Sequence, residues 1–163
     1  MTRSTPVPAC LLLIPCHALA QDDPEWRALA VAGFSIVDAD GDGSATLAEQ
    51  MAATAAIQAS MDSDGDGALS EGEFTSWGFG MANLAEARGT LALYEAGLRT
   101  LFDLWDRDDD GRLSPAEHER AAAQGFADAD RDGDGRMSEG EYAGGFVYNV
   151  VSRQAVRVAE GAL

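Results

Sequence analysis

Four times along the chain, a twelve-residue turn sets acids at its first, third, fifth and twelfth positions and a glycine at its sixth. The turns cover residues 38–49, 62–73, 106–117 and 130–141. The first two start 24 residues apart, as do the last two, and 68 residues separate the first from the third and the second from the fourth. A pair of turns has been duplicated. Each turn crowds four carboxylates together in a chain whose formal charge is already −17. Two carboxylates about 5 Å apart repel by roughly 1 kcal/mol in water and by several times that near a protein surface. Summed over one turn, the repulsion is on the order of 5 kcal/mol, the lower end of a small domain's whole stability. Such a turn either stays open or holds something positive.

The spacing suits a hard divalent cation. Ca²⁺ takes roughly six to eight oxygens at about 2.3–2.6 Å. Positions 1, 3 and 5 offer Asp38, Asp40 and Asp42; Asp62, Asp64 and Asp66; Asp106, Asp108 and Asp110; and Asp130, Asp132 and Asp134. Position 6 must turn with positive φ, and Gly43, Gly67, Gly111 and Gly135 stand there. Position 7 offers only a backbone carbonyl, from Ser44, Ala68, Arg112 or Arg136. Position 9, a Thr or Ser, can act through a water. Position 12 is Glu49, Glu73, Glu117 or Glu141, long enough to reach back with both oxygens. Positions 9 and 12 also form a helix capping box each time. That pattern alone would be ambiguous, but joined four times to three spaced aspartates and a glycine it is not.

These loops match the D-x-[DN]-x-[DN]-G-x5-E pattern, and the chain resembles the EF-hand superfamily, calmodulin included. It is most similar in kind to the secreted EF-hand proteins of proteobacteria. The resemblance implies an all-α fold: two pairs of helix–loop–helix units with short two-residue β-bridges, packed compactly. It also implies up to four Ca²⁺. Position 8 (Ala45, Leu69, Leu113, Met137) is expected to point inward and to pair across a bridge within each half, loop one with loop two and loop three with loop four. Ala45 is the smallest, which predicts that loop one binds most weakly.

Flanking helices are legible by period. Trp26, Leu29, Ala30, Phe34 and Val37 precede loop one, with Asp23-Pro24 as a start signal. Leu98, Leu101, Phe102 and Trp105 precede loop three. Between paired loops, residues 50–61 and 118–129 leave room for an exiting helix of two turns and a short entering helix, with Gly125 as a break. His118 is expected at the surface. The segment 74–105 is too apolar for a solvated connector, so the halves should pack together. These readings divide the chain into a pair over 21–80, a connecting helix over 81–97 and a pair over 98–163. The Val-rich stretch 146–158 is expected to be helical.

Residues 1–20 differ in character. A positive Arg3, an apolar run and Ala18-Leu19-Ala20 before a polar stretch predict a secretory signal peptide, hence a periplasmic or secreted protein with no membrane span after cleavage. Both cysteines and His17 leave with it, so disulfides, zinc sites and Cys–His or Ser–His catalysis have little to be built from. Sixteen of the 28 acids are committed as ligands, and there is no phosphate loop; no enzyme is expected. The acidic balance disfavours nucleic acid. The expected function is calcium binding in an exported protein, as a buffer or as a sensor with a protein partner. The alternative is a module that calcium merely stabilises.

Overall fold

A computed structural model describes residues 23–157; the signal-peptide expectation over 1–20 lies outside them. The elements run α1 Pro24–Val37, β1 Ser44–Thr46, α2 Leu47–Met61, β2 Leu69–Ser70, α3 Glu71–Ser76, α4 Met81–Ala87, α5 Leu91–Trp105, β3 Arg112–Leu113, α6 Pro115–Ala129, β4 Arg136–Ser138, α7 Glu139–Gly145 and α8 Val147–Arg157. The fold is all-α, four helix–loop–helix units joined by two short antiparallel bridges.

The helices begin where their sequences can cap them. Asp23 accepts the N–H groups of Glu25 and Trp26, and Pro24 takes the first helical position. The capping boxes expected from the sequence are present at the starts of α2, α3, α6 and α7. The C-terminal stretch is helical, as its position implied: Trp26 Nε1 donates to Ser152 Oγ at 3.0 Å, which seats α8 against α1. The connecting segment is two helices instead of one. Gly89, at φ 70°, turns the chain between α4 and α5.

The stretches between loops differ from expectation. Neither 50–61 nor 118–129 breaks: α2 and α6 are continuous fifteen-residue helices, each leaving one loop and entering the next. Gly125 sits inside α6 because a neighbour needs the space. A Cβ there would lie 3.1 Å from the Phe146 ring.

This continuity decides how the loops pair. At 1.5 Å per residue a fifteen-residue helix is about 22 Å long, so it holds its two loops far apart. Loops one and two cannot reach each other, nor can loops three and four. Instead α2 and α6 pack side by side and antiparallel, and the bridges form between halves. Ser44, Ala45 and Thr46 of loop one face Ser138, Met137 and Arg136 of loop four. Leu69 and Ser70 of loop two face Leu113 and Arg112 of loop three. The expected pairing within each half is thereby corrected.

Each bridge anchors its own core. Leu69 and Leu113 belong to a large cluster with Trp26, Phe74, Tyr94 and Trp105. Ala45 and Met137 belong to a smaller one with Phe34, Phe126 and Tyr142. All four position-8 side chains are fully buried. The smallest, Ala45, stands opposite the flexible Met137, a residue suited to filling uneven space. Between the clusters lies a cavity of about 90 Å³, lined by apolar groups from both and by Gln50, Thr54 and His118. His118 is therefore an interior residue, stacked on Trp105 at 5.8 Å between ring centroids. The expected surface position fails because α6 turns this face onto α2.

Candidate metal centres

Each loop starts on the residue that ends a helix. The backbone N–H groups of Asp38, Asp62, Asp106 and Asp130 still donate to carbonyls four residues back, at 2.8–3.0 Å. Their ψ angles of 78–95° then take the chain out of the helix. The position-1 carboxylate turns inward. Its Oδ2 accepts the N–H of the position-6 glycine: Gly43 at 3.0 Å, Gly67 at 2.9 Å, Gly111 at 2.8 Å and Gly135 at 3.0 Å.

The position-12 glutamate closes the loop from the other end. Its Oε2 accepts the N–H and hydroxyl of Thr46, Ser70, Ser114 or Ser138. Its Oε1 accepts the backbone N–H of position 2, from Ala39 at 3.2 Å, Ser63 at 2.8 Å, Arg107 at 2.8 Å or Arg131 at 3.0 Å. One glutamate thus ties the loop's start to the next helix's cap, so the capping-box reading and the ligand reading describe the same side chain. The Ser70 N–H and hydroxyl, with Ser63, hold the Glu73 carboxyl down at about 2. The Glu49, Glu117 and Glu141 carboxyls are lowered for the same kind of reason, first by the Thr46 N–H, the Arg107 N–H and the Ser138 hydroxyl respectively.

Three carboxylates converge in every loop. In loops one, three and four they come from positions 1, 3 and 12: Asp38, Asp40 and Glu49; Asp106, Asp108 and Glu117; and Asp130, Asp132 and Glu141. In loop two they are Asp62, Asp64 and Asp66. Within each group the oxygens lie within 4.8 Å of one another. These groups do not take in Asp42, Glu73, Asp110 or Asp134. Asp42, outside its group, and Asp66, inside its own, carry arginine partners from across the bridges, Arg136 and Arg112. The sequence marked those two arginines only as sources of a backbone carbonyl. A cation at position 7 facing an acid at position 5 becomes visible only once the loops are known to pair.

The donor set fits a hard cation. It is all oxygen, carboxylate-rich and pre-turned. Crowding pushes the Asp108 carboxyl up, with Asp110 the largest contributor. In loop one, Asp38 Oδ1 is buried with no hydrogen-bond partner, the state expected of an acceptor reserved for a ligand.

Position 4 also needs positive φ, which the sequence reading overlooked. Gly41, Gly65 and Gly133 supply it at 71–73°, and Asp109 does so in loop three at 54°. The recurring glycine two residues before position 6 was the signal.

Helix–acidic loop–helix units, four to a chain and bridged in pairs, define an EF-hand fold. No family model matches the chain, and no solved structure matches it. Over 116 residues, 61% of its length, the chain is 34% identical to the rice (Oryza sativa subsp. japonica) protein described as "Probable calcium-binding protein CML16". It spans 58% of that protein's length. The likeness accords with an EF-hand fold. Among the described residues, no helix is long and apolar enough to cross a membrane.

Proposed function

We propose that this chain is a calcium-binding protein that takes up one Ca²⁺ in each of its four loops. The observation that carries this reading is the convergence of three carboxylates in every loop, on a backbone already turned around them. The ligands are the position 1, 3, 5 and 12 carboxylates and the position-7 carbonyls of Ser44, Ala68, Arg112 and Arg136. The likeness to a calcium-binding protein supports binding, not catalysis, as the role. Isothermal calorimetry tests it. Four Ca²⁺ per chain at saturation are expected, and two or fewer would overturn the assignment.

Export rests on the sequence of residues 1–20, with cleavage after Ala20. Mass spectrometry of the protein from its host, showing residues 1–20 retained in the cytoplasm, would contradict it. One observation favours a sensor over a buffer: the interior is split, with an apolar cavity between two clusters that calcium could widen. A calcium-dependent rise in binding of a hydrophobic dye is the expected sign of a sensor. Equal dye binding with calcium and with chelator identifies a buffer.

A further inference from the structure

The two bridges carry the same unsymmetrical feature. Position 7 of loop four is Arg136, and its guanidinium reaches across to loop one. There Nη2 pairs with the Asp42 carboxylate and donates to the Ser44 carbonyl at 3.2 Å, while Nε donates to Ser44 Oγ at 2.6 Å. Position 7 of loop three is Arg112. Its Nη2 pairs with the Asp66 carboxylate of loop two and donates to the Ala68 carbonyl at 3.4 Å. In both cases the arginine holds the position-5 carboxylate and the position-7 carbonyl of the opposite loop. Those are two of the oxygens assigned to calcium. The reverse contact has no cation to make it, because position 7 is Ser44 in loop one and Ala68 in loop two.

We propose that Arg136 and Arg112 are resident cations of loops one and two, so that Ca²⁺ fills loops three and four first and enters loops one and two only by displacing an arginine. The inference rests on the calcium reading above. A guanidinium presents a planar fork of donors that suits a carboxylate and a carbonyl side by side. It offsets part of the crowding that an acidic turn carries without metal. An entering Ca²⁺ must break those hydrogen bonds and also meets a positive charge at short range. Loops three and four face no such competitor across their bridges, because the position-7 residues opposite are Ser44 and Ala68. Duplicated loops of nearly identical ligand sequence are thus divided into two classes by a residue that each loop's neighbour supplies.

The glycine N–H at position 6 reports each loop separately, because it is bonded to that loop's first aspartate. An NMR titration of the full chain with CaCl₂ should move the Gly111 and Gly135 amide signals over the first two equivalents, and those of Gly43 and Gly67 afterwards. R136Q and R112Q each leave the position-7 carbonyl of their own loop in place, since that ligand is main chain. R136Q should tighten loop one by roughly five- to tenfold, and R112Q should do the same for loop two, as expected from removing a close like charge. In the double variant the four signals should move together. Wild-type signals that move together, or Gly43 and Gly67 moving first, would overturn the proposal while leaving calcium binding intact. An unchanged order in the double variant would do the same. If no glycine signal responds to CaCl₂, the calcium reading itself fails and this inference falls with it. The wild-type order needs no mutation, so poor folding of a variant does not remove the test.

Discussion

His118 Nδ1 lies 2.7 Å from the side-chain oxygen of Gln58, joining the first turn of α6 to the last turn of α2. The Gln58 amide nitrogen donates to the Leu113 carbonyl at 3.3 Å, which leaves its oxygen to accept. The ring proton therefore sits on Nδ1. The contact fixes α2 and α6 antiparallel and locates loops two and three at one end.

Burial lowers the His118 pKa from its ordinary 6.5 to about 4. A folded-state value below the unfolded one means that stability is complete above about pH 6.5 and is lost as the pH falls towards 4. At 1.36 kcal/mol per unit, that loss is about 3 kcal/mol. Glutamine suits the position, since Gln50 occupies it in the first repeat. The difference in unfolding free energy between wild type and His118→Gln should shrink by about 3 kcal/mol from pH 7 to pH 4, with the loop carboxylates cancelling. A difference independent of pH would place the ring in water.

Asp109 occupies a left-handed conformation that glycine fills in the other three loops. Removing its Cβ and its charge beside Asp108 should stabilise the metal-free chain. Asp109→Gly is expected to raise the melting temperature in chelator by roughly 2–4 °C, as relief of about 1 kcal/mol of backbone strain would do. A fall would show that Asp109 contributes an interaction worth more than its strain.

Glu73→Gln removes one charge from the hydrogen bonds that close loop two. Because Leu69 faces Leu113, the disturbance should pass to loop three and not to loop one. In a calcium titration the Gly67 signal should respond at higher calcium, with a smaller delay at Gly111 and none at Gly43. Delay at Gly43 without delay at Gly111 would restore pairing within the first half.

Two glycines of α7 separate packing from propensity. At Gly145 a Cβ would stand 2.9 Å from the Ala129 Cα, a backbone atom that cannot yield cheaply. At Gly140 it would meet nothing within 4 Å. Gly145→Ala should cost about 1–3 kcal/mol, whereas Gly140→Ala should gain up to about 1 kcal/mol. Urea unfolding of the two variants at one calcium concentration measures both, and equal effects would refute the close approach of α7 to α6.

Calcium should hold the fold together. Each filled site adds about 2.7 kcal/mol at a hundredfold excess over Kd, or roughly 10 kcal/mol over four sites. Chelator should lower the melting temperature steeply at low salt, and added NaCl should recover part of the loss by screening. A melting temperature unmoved by chelator would show that charge crowding does not govern stability.

The loops, their flanking helices and the all-α class were legible because their causes are local. A glycine at position 6, a serine three residues before a glutamate and an apolar residue every third or fourth place act within one turn. The partner of each bridge was not legible. Leu69 and Leu113 carry no mark that says which strand each will meet, and the answer turns on whether twelve residues form one helix or two. Gly125 argued for two, at a cost of about 1 kcal/mol in a helix interior. The packing of Phe146 against it settles the matter from 21 residues away. His118 followed the same course, since its burial depends on α2 and not on its neighbours in sequence.

Bridges that join the two halves have a consequence for synthesis. Ser44 pairs with Ser138, and the strand it needs is made 94 residues later. At about 5–20 residues per second, loop one waits roughly 5–20 s on the ribosome before loop four exists. During that interval the nascent chain displays helix α1 with Trp26 and Phe34, whose partners Ser152 and Tyr142 are also still unmade. The charge of the acidic turns, complete as soon as each is translated, favours solubility through that interval. The same crowding that strains the finished loops serves as the solubility of the unfinished protein.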